Sequence, residues 1–512
     1  MKRFIPVLIS LMLFFFFLTP AGGEQHVLRI LYVNDFHGFA EPYKPLGSDE
    51  LQGGIAYLAG EVRRLRAEMP SLLLAAGDMI QGNNWANFFK GGSAIEMMNA
   101  MRFDAMVVGN HEFDFGQDVL RKRIAEAKFP VLGANVEGLG SLKPYVVREI
   151  GGLRVGIIGV VTEDTPIATH PRNVAGLKFK SPAESVLRYT GELKGTVDVI
   201  IVLSHTGYAA DRALAEDIKG INVIVGGHSH TKLDRPATVG DTIIVQAWEH
   251  GKALGVLDLS VEDGKVVGFT GRLDEIVPSP GREDKTVIAI VDKYERKADA
   301  ALGEVIGTAG VDLDGENVRK RETNLGDLIA DIMRQMSGAD AAIINGGGIR
   351  TSINRGPIRV KDVYSVLPFD NYVVAVKLTG TQLRQALEHG VSAIEQGEGR
   401  FPQVSGIVFS FDPSAPAGSR VREIVVDGRQ ADPGREYVVA TNDFLAAGGD
   451  GYTVFGAAVR ESKDFAAVGG MMKGGRLVYN DSGRWLRDAV IEYIKEHKRI
   501  EPAVEGRIKE AY

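Results

Sequence analysis

The chain has 512 residues, 45% hydrophobic and 24% charged, with a net charge of −7 and no cysteine. Such a length exceeds one ordinary domain and fits about two to four, and the composition is that of a folded globular protein rather than a disordered one. The acidic balance excludes nucleic-acid binding by bulk positive charge. The absence of cysteine excludes disulfides, thiolate metal sites and a cysteine nucleophile, leaving His, Asp, Glu and Asn as ligands.

In chain order, Lys2 and Arg3 precede an apolar run from Phe4 to Leu18, then the small-residue stretch Thr19-Pro20-Ala21. This reads as a cleaved signal peptide over 1–21, which predicts a periplasmic or secreted protein with no stable membrane anchor after cleavage. From Val27 to about Val277, short apolar runs (VLRILYV, SLLLAAG, FDAMVVG, FPVLGAN, LRVGIIGVV, VDVIIVLSH, INVIVGG) alternate with helical segments such as Ile55–Glu68 and Gln117–Ala127. Near-continuous apolar runs separated by helices predict strands buried on both faces of an α/β layered fold. Asp263-Gly264, centred in GVLDLSVEDGKVVGFTGRL, predicts a closing hairpin. Pro278-Ser279-Pro280-Gly281 and a charged helical segment from Glu283 to about Ala301 read as a linker. Beyond it, NLGDLIADIMRQM carries apolar residues at helical spacing, VVDGRQADPGREYVVATN reads as a hairpin, and Lys320–Glu322 as a solvated face.

Five of the apolar runs end in polar residues suited to chemistry: Asn34-Asp35-Phe36-His37, Gly77-Asp78, Gly109-Asn110-His111-Glu112, Ser204-His205 and Gly226-Gly227-His228-Ser229-His230. In open α/β sheets the carboxyl ends of the strands converge on one crevice, so these scattered residues are expected together. A sulfur-free donor set of this kind suits borderline or hard divalent ions such as Zn²⁺, Mn²⁺, Co²⁺ or Mg²⁺. On an extended backbone, Asp35 and His37 would project to one side and share an ion, and His228 and His230 would repeat that geometry.

Taken in order, DxH, GD, GNHE, H and GHxH resemble the signature of the calcineurin-like metallophosphoesterases. The contexts NDFHG, GNHEFDFG and TNDFLAAGGDGY narrow the resemblance to the 5′-nucleotidase family, which includes periplasmic UDP-sugar hydrolases. The resemblance implies an N-terminal layered sandwich of two central sheets flanked by helices (24–277), a linker with a helix (278–301) and a C-terminal α/β nucleotide-binding domain (302–512). It further implies two divalent metal ions bridged by Asp78, with Asp35 and His37 on the first and Asn110, His205 and His228 on the second. His230 stands at the second histidine of GHxH, where some 5′-nucleotidases carry Gln or Asn. His111 matches the family's catalytic histidine and Asp114 its partner, with water activated by the ions as nucleophile.

The same resemblance places Phe369 and Phe444 as a pair of rings around the nucleobase, Asp450 on the ribose hydroxyls, Asn345 on the base, and Arg319 and Arg350 near substrate. Stacking alone predicts broad tolerance among bases. Some relatives carry a further arginine four residues before Arg319, where this chain has Gly315. The expected activity is release of phosphate from nucleoside 5′-monophosphates by a monomer or weak dimer. The alternatives are a UDP-sugar hydrolase, a 2′,3′-cyclic-nucleotide phosphodiesterase/3′-nucleotidase, a thiosulfohydrolase of the same architecture, and a non-catalytic nucleotide receptor.

Overall fold

Two six-stranded sheets lie face to face in the first half of a computed structural model of the chain. The structure describes residues 25–46, 48, 50–461, 466–468 and 471–511; the leader expected over 1–21 lies outside the described residues. The first sheet runs in the order Lys265–Glu275, Ala253–Glu262, Gln25–Val33, Ser71–Ala75, Ala105–Val107, Val131–Leu132. The second runs Ala237–Val239, Thr242–Val245, Val223–Gly226, Val199–His205, Leu153–Val161, Tyr145–Ile150. In both, the central strands are parallel and antiparallel strands lie at one or both edges.

Strand periodicity sorts the apolar residues between layers. In Gln25–Val33, Leu28, Ile30 and Tyr32 point toward the opposing sheet, where they meet Ile157, Ile201 and Leu203. Leu31 and Val33 point outward, to the helices Ile55–Glu68 and Gly92–Met101. On the far side, Val202 and Ile224 pack under the helices Pro182–Leu193 and Tyr208–Asp217. The result is a four-layered sandwich of helix, sheet, sheet and helix. Asp263-Gly264 closes the hairpin between Ala253–Glu262 and Lys265–Glu275, Asp263 with φ of 49°.

The helix Lys285–Leu302 is capped by Asp284, whose carboxylate accepts from the amides of Thr286 and Val287 at 2.9 and 3.1 Å. Its Val287 and Val291 belong to the first core. From the second half, Lys361 reaches its outer face at Glu295 (2.7 Å) and Asp299 (2.8 Å).

The second half is built on a five-stranded sheet, ordered Pro402–Ser405, Ala341–Asn345, Glu436–Asn442, Tyr372–Thr379, Leu477–Trp485. The helices Asn324–Ser337 and Leu486–His497 cover one face, Gly380–Gly390 and Thr453–Arg460 the other. The mixed α/β class expected from the sequence is the one observed. One local expectation fails: Glu322 is not on a solvated face. It is 6% exposed and accepts the amides of Glu505, Gly506 and Ile508, pinning the C-terminal segment to the domain. Among the described residues, no helix is long and apolar enough to cross a membrane.

Candidate functional site

A cavity of about 190 Å³ opens between the two halves. It is lined by Asp78, Asn110, His111, Asp114, His228 and His230 from the first half and by Arg319, Asn345, Arg350, Phe369, Phe444 and Asp450 from the second. The remaining expected residues, Asp35, His37 and His205, lie directly beneath it and are fully buried. Residues hundreds of positions apart are thus gathered at one place, because the strands Gln25–Val33, Ser71–Ala75, Ala105–Val107, Val199–His205 and Val223–Gly226 all end at this edge of the sandwich.

Their donor atoms form two groups, Asp35 with His37 and His230, and Asp78 with His205 and His228. Asp78 Oδ2 stands between the groups, 3.1 Å from His205 Nε2 and 3.8 Å from His37 Nε2. Asp35 Oδ1 is 3.3 Å from His230 Nε2, which itself lies 3.3 Å from His37 Nε2. The backbone holds these groups unconventionally. Asp35, His37, Asp78, His228 and His230 all have positive φ, between 49° and 75°. The expectation of alternation on an extended segment is therefore corrected: left-handed turns, not a strand, aim Asp35 with His37 and His228 with His230. Non-glycine residues in this region are costly and concentrate at functional sites. Here the turns are locked by backbone bonds from Asp35 N to Gly77 O (3.1 Å) and His37 N to Asp78 O (2.9 Å). Gly77 and Gly109 carry no Cβ where one would collide with His205.

The hydrogen bonds behind the imidazoles fix which nitrogen faces inward. His37 Nδ1 donates to Gln81 O (2.8 Å), His205 Nδ1 to Ala76 O (2.7 Å) and His230 Nδ1 to Glu249 Oε2 (2.5 Å), so each Nε2 turns a lone pair toward the cluster. His205 Nε2 and Asn110 Oδ1 are buried without a hydrogen-bond partner among the described residues. Orphaned acceptors of this kind, beside two buried carboxylates, fit divalent cations. The buried carboxylates draw positive charge unevenly. Against burial, Asp78 and Asp35 carry His205 up to about 10 and Asp35 carries His230 to about 9, while burial takes His228 down to about 4 and His37 well below its ordinary value. Positive charge is therefore held at His205 and His230, where a divalent ion would supply it.

Beside the cluster, His111 Nδ1 donates to Asp114 Oδ2 at 2.6 Å. Burial opposes the imidazolium, but Asp114 and Asp78 outweigh it and the pKa is raised. Arg350 enters from the second half and its Nη2 donates to His37 Nε2 at 3.1 Å. Burial, and after it the charge of Arg319, pulls Arg350 down to about 10. The Phe369 ring stacks 5.7 Å from His111. Deeper in the second half, Asn345 Nδ2 donates to Asp450 Oδ2 at 2.7 Å; Asp450 has φ of 48°, and burial raises its carboxyl.

Several residues of the site went unread in the sequence. Glu112 is 1% exposed, and its carboxylate gathers the amides of Asp78 (2.8 Å), Met79 (2.8 Å), Ile80 (3.2 Å) and Gly109 (2.6 Å), welding two ligand loops together. Its place in GNHE was the available signal. Glu249, bridging His230 and Lys252, and His250, stacked 3.8 Å on Phe39, lie four and five residues beyond the strand Thr242–Val245, the same strand-end pattern, at an apolar run too short to stand out among those read from the sequence. With His230 they make a third compact group of possible ligands.

Comparison with known proteins identifies the family. Residues 28–232 match the calcineurin-like phosphoesterase family and residues 305–457 the 5′-nucleotidase C-terminal domain. The human 5′-nucleotidase is 34% identical, over 96% of this chain and 92% of its own. The trifunctional nucleotide phosphoesterase protein YfkN of Bacillus subtilis is 33% identical over 95% of this chain, which spans only 35% of that longer protein. The crystal structure of a 5′-nucleotidase precursor from Thermus thermophilus superimposes with a TM-score of 0.85 at 37% identity, covering 94% of this chain and 99% of that one. The chain belongs to the 5′-nucleotidase family and is a metal-dependent phosphoester hydrolase.

Proposed function

We propose that the protein releases phosphate from nucleoside 5′-monophosphates. The observation that carries this reading is the sharing of one cavity by two metal-binding groups and by Phe369, Phe444, Asn345 and Asp450. Asp35, His37 and His230 would hold one divalent ion and Asn110, His205 and His228 the other, with Asp78 between them. When bound, the pair supplies an activated water and offsets charge on the phosphoryl group.

The rest falls to side chains. His111, kept cationic by Asp114, faces the phosphoryl oxygens and stabilises the charge that grows there. Arg319 and Arg350, both lining the cavity beside the metal-binding groups, grip the phosphate; the bond that Arg350 makes to His37 Nε2 would give way to an ion at that nitrogen and free the guanidinium for substrate. Phe369 and Phe444 stack on the base, Asp450 reads the ribose and Asn345 the base edge. A longer phosphate chain finds no extra arginine at Gly315, whose missing side chain lies against Thr351 O and leaves no room for one. This favours monophosphates over UDP-sugars.

Export by cleavage after Ala21 belongs to the same reading and rests on the charged, apolar and small-residue succession of 1–21. N-terminal sequencing of the mature protein checks it. The activity is tested by phosphate release from AMP, 3′-AMP, 2′,3′-cyclic AMP and UDP-glucose, with and without chelator. AMP should lead the panel and chelator should abolish turnover; a lead for another substrate would overturn the assignment.

A further inference from the structure

The segment Thr165 to Val174 leaves the second sheet after Val161 and runs along the cavity, yet the chemistry above makes no use of it. Its residues touch both halves of the site. Thr169 Oγ1 donates to Asp114 Oδ1 at 2.5 Å, and Asn173 Nδ2 donates to the backbone oxygen of Asp114 at 2.7 Å. Asp114 is therefore held on its far side while its other oxygen holds His111. Between those two residues, His170 faces the opposite way. Its Nε2 stands 3.3 Å from Asp443 Oδ2, in the second half of the chain.

The tautomer is set locally. The Arg172 amide donates to His170 Nδ1 at 3.3 Å, so the ring proton sits on Nε2, the nitrogen nearer the carboxylate, although it is not yet aligned in a hydrogen bond to it. Asp443 is 3% exposed. Its Oδ1 accepts the Tyr372 amide at 3.1 Å, and its Oδ2 has no hydrogen-bond partner among the described residues. A buried carboxylate oxygen is destabilised without a donor, and His170 is the donor within reach. Asp443 also ties together the segments that carry both rings: it precedes Phe444, and Tyr372 lies just beyond Phe369.

We propose that His170 is a positioning residue for nucleotides: by engaging Asp443 it holds the aromatic pair closed on a base while Thr169, its chain neighbour, fixes Asp114 against His111. The proposal rests on the nucleotide reading above. A phosphate ester without a base leaves the two rings unfilled and gains little from the contact.

The test is steady-state kinetics of the full chain with AMP and with ribose 5-phosphate, the same ester lacking a base. His170→Ala should raise KM for AMP about tenfold, the worth of one hydrogen bond to a buried charge, and change ribose 5-phosphate far less. His170→Gln, which keeps an N–H donor, should recover most of the loss. Asp443→Asn retains an oxygen for the Tyr372 amide, and combining it with His170→Ala should add little further loss, because the two residues act as one pair. Equal losses on both substrates, or fully additive losses in the double variant, would overturn the proposal. Wild-type protein that handles AMP no better than ribose 5-phosphate would overturn the nucleotide reading itself, and the proposal with it.

Discussion

The backbone amide of His111 donates to Asp78 Oδ1 at 3.0 Å, so the histidine proposed to act on the phosphoryl group hangs from the carboxylate that stands between the two metal-binding groups. The candidate metal groups and the His111 ring are therefore one mechanical unit. Replacing Asp78 by Ala should empty the centre and displace His111 together. Elemental analysis of the purified variant should show loss of bound metal, and turnover should fall by at least about a hundredfold. Full metal content in the variant would show that Asp78 is not a shared ligand.

His111→Ala separates the two effects. It removes the imidazole but leaves the amide on Asp78, so metal content should persist while kcat falls by about 10²–10⁴. Metal analysis and AMP kinetics on the same preparation decide the matter; undiminished turnover would remove His111 from the mechanism.

Phe369→Ala and Phe444→Ala should each cost about 1–3 kcal/mol of nucleotide binding, read as a rise in KM across adenine, guanine, cytosine and uracil substrates alike. A loss confined to one base would replace stacking by edge recognition as the function of these rings.

In the second domain, far from the metal groups, burial pushes the Asp327 carboxyl up to about 8 from an ordinary 3.8, against the pull of Arg507 and with help from Glu322. A carboxyl whose folded pKa is raised contributes stability that is complete below its unfolded value and disappears as pH climbs through the folded one. Between pH 4 and 8, wild-type protein should lose stability on this account. Asp327→Asn cannot ionise and should gain on wild type as pH rises, by on the order of 1–2 kcal/mol at pH 9 relative to pH 5. Urea unfolding at the two pH values measures it; a pH-independent difference between the proteins would rule out ionisation of Asp327 as the cause.

Much of this molecule can be read from its residues because buried parallel strands write themselves as apolar runs. The helix Ile55–Glu68 and the turn at Asp263-Gly264 lie where spacing and turn chemistry put them. The residues of the site were legible for the same reason, since each expected metal-group residue of the first half directly follows or ends such a run. What stayed hidden depends on tertiary placement. Glu322 sits in a polar triplet and is buried only because the distant segment Glu505–Ile508 folds onto it. His170 lies on an irregular stretch whose meaning appears only once Asp443 is opposite. The left-handed turns at Asp35 and His37 were unreadable because local alternation favours a strand there, and the pairing of their amides with Gly77 and Asp78 overrides it.

Those turns bear on what an ion would meet on arrival. Five non-glycine residues held at positive φ, each at a cost on the order of 1 kcal/mol, are kept there by the fold itself, through bonds such as those from the Asp35 and His37 amides to Gly77 and Asp78. The donor atoms are therefore arrayed in advance, and a divalent cation would find its ligands without having to order the loops that carry them.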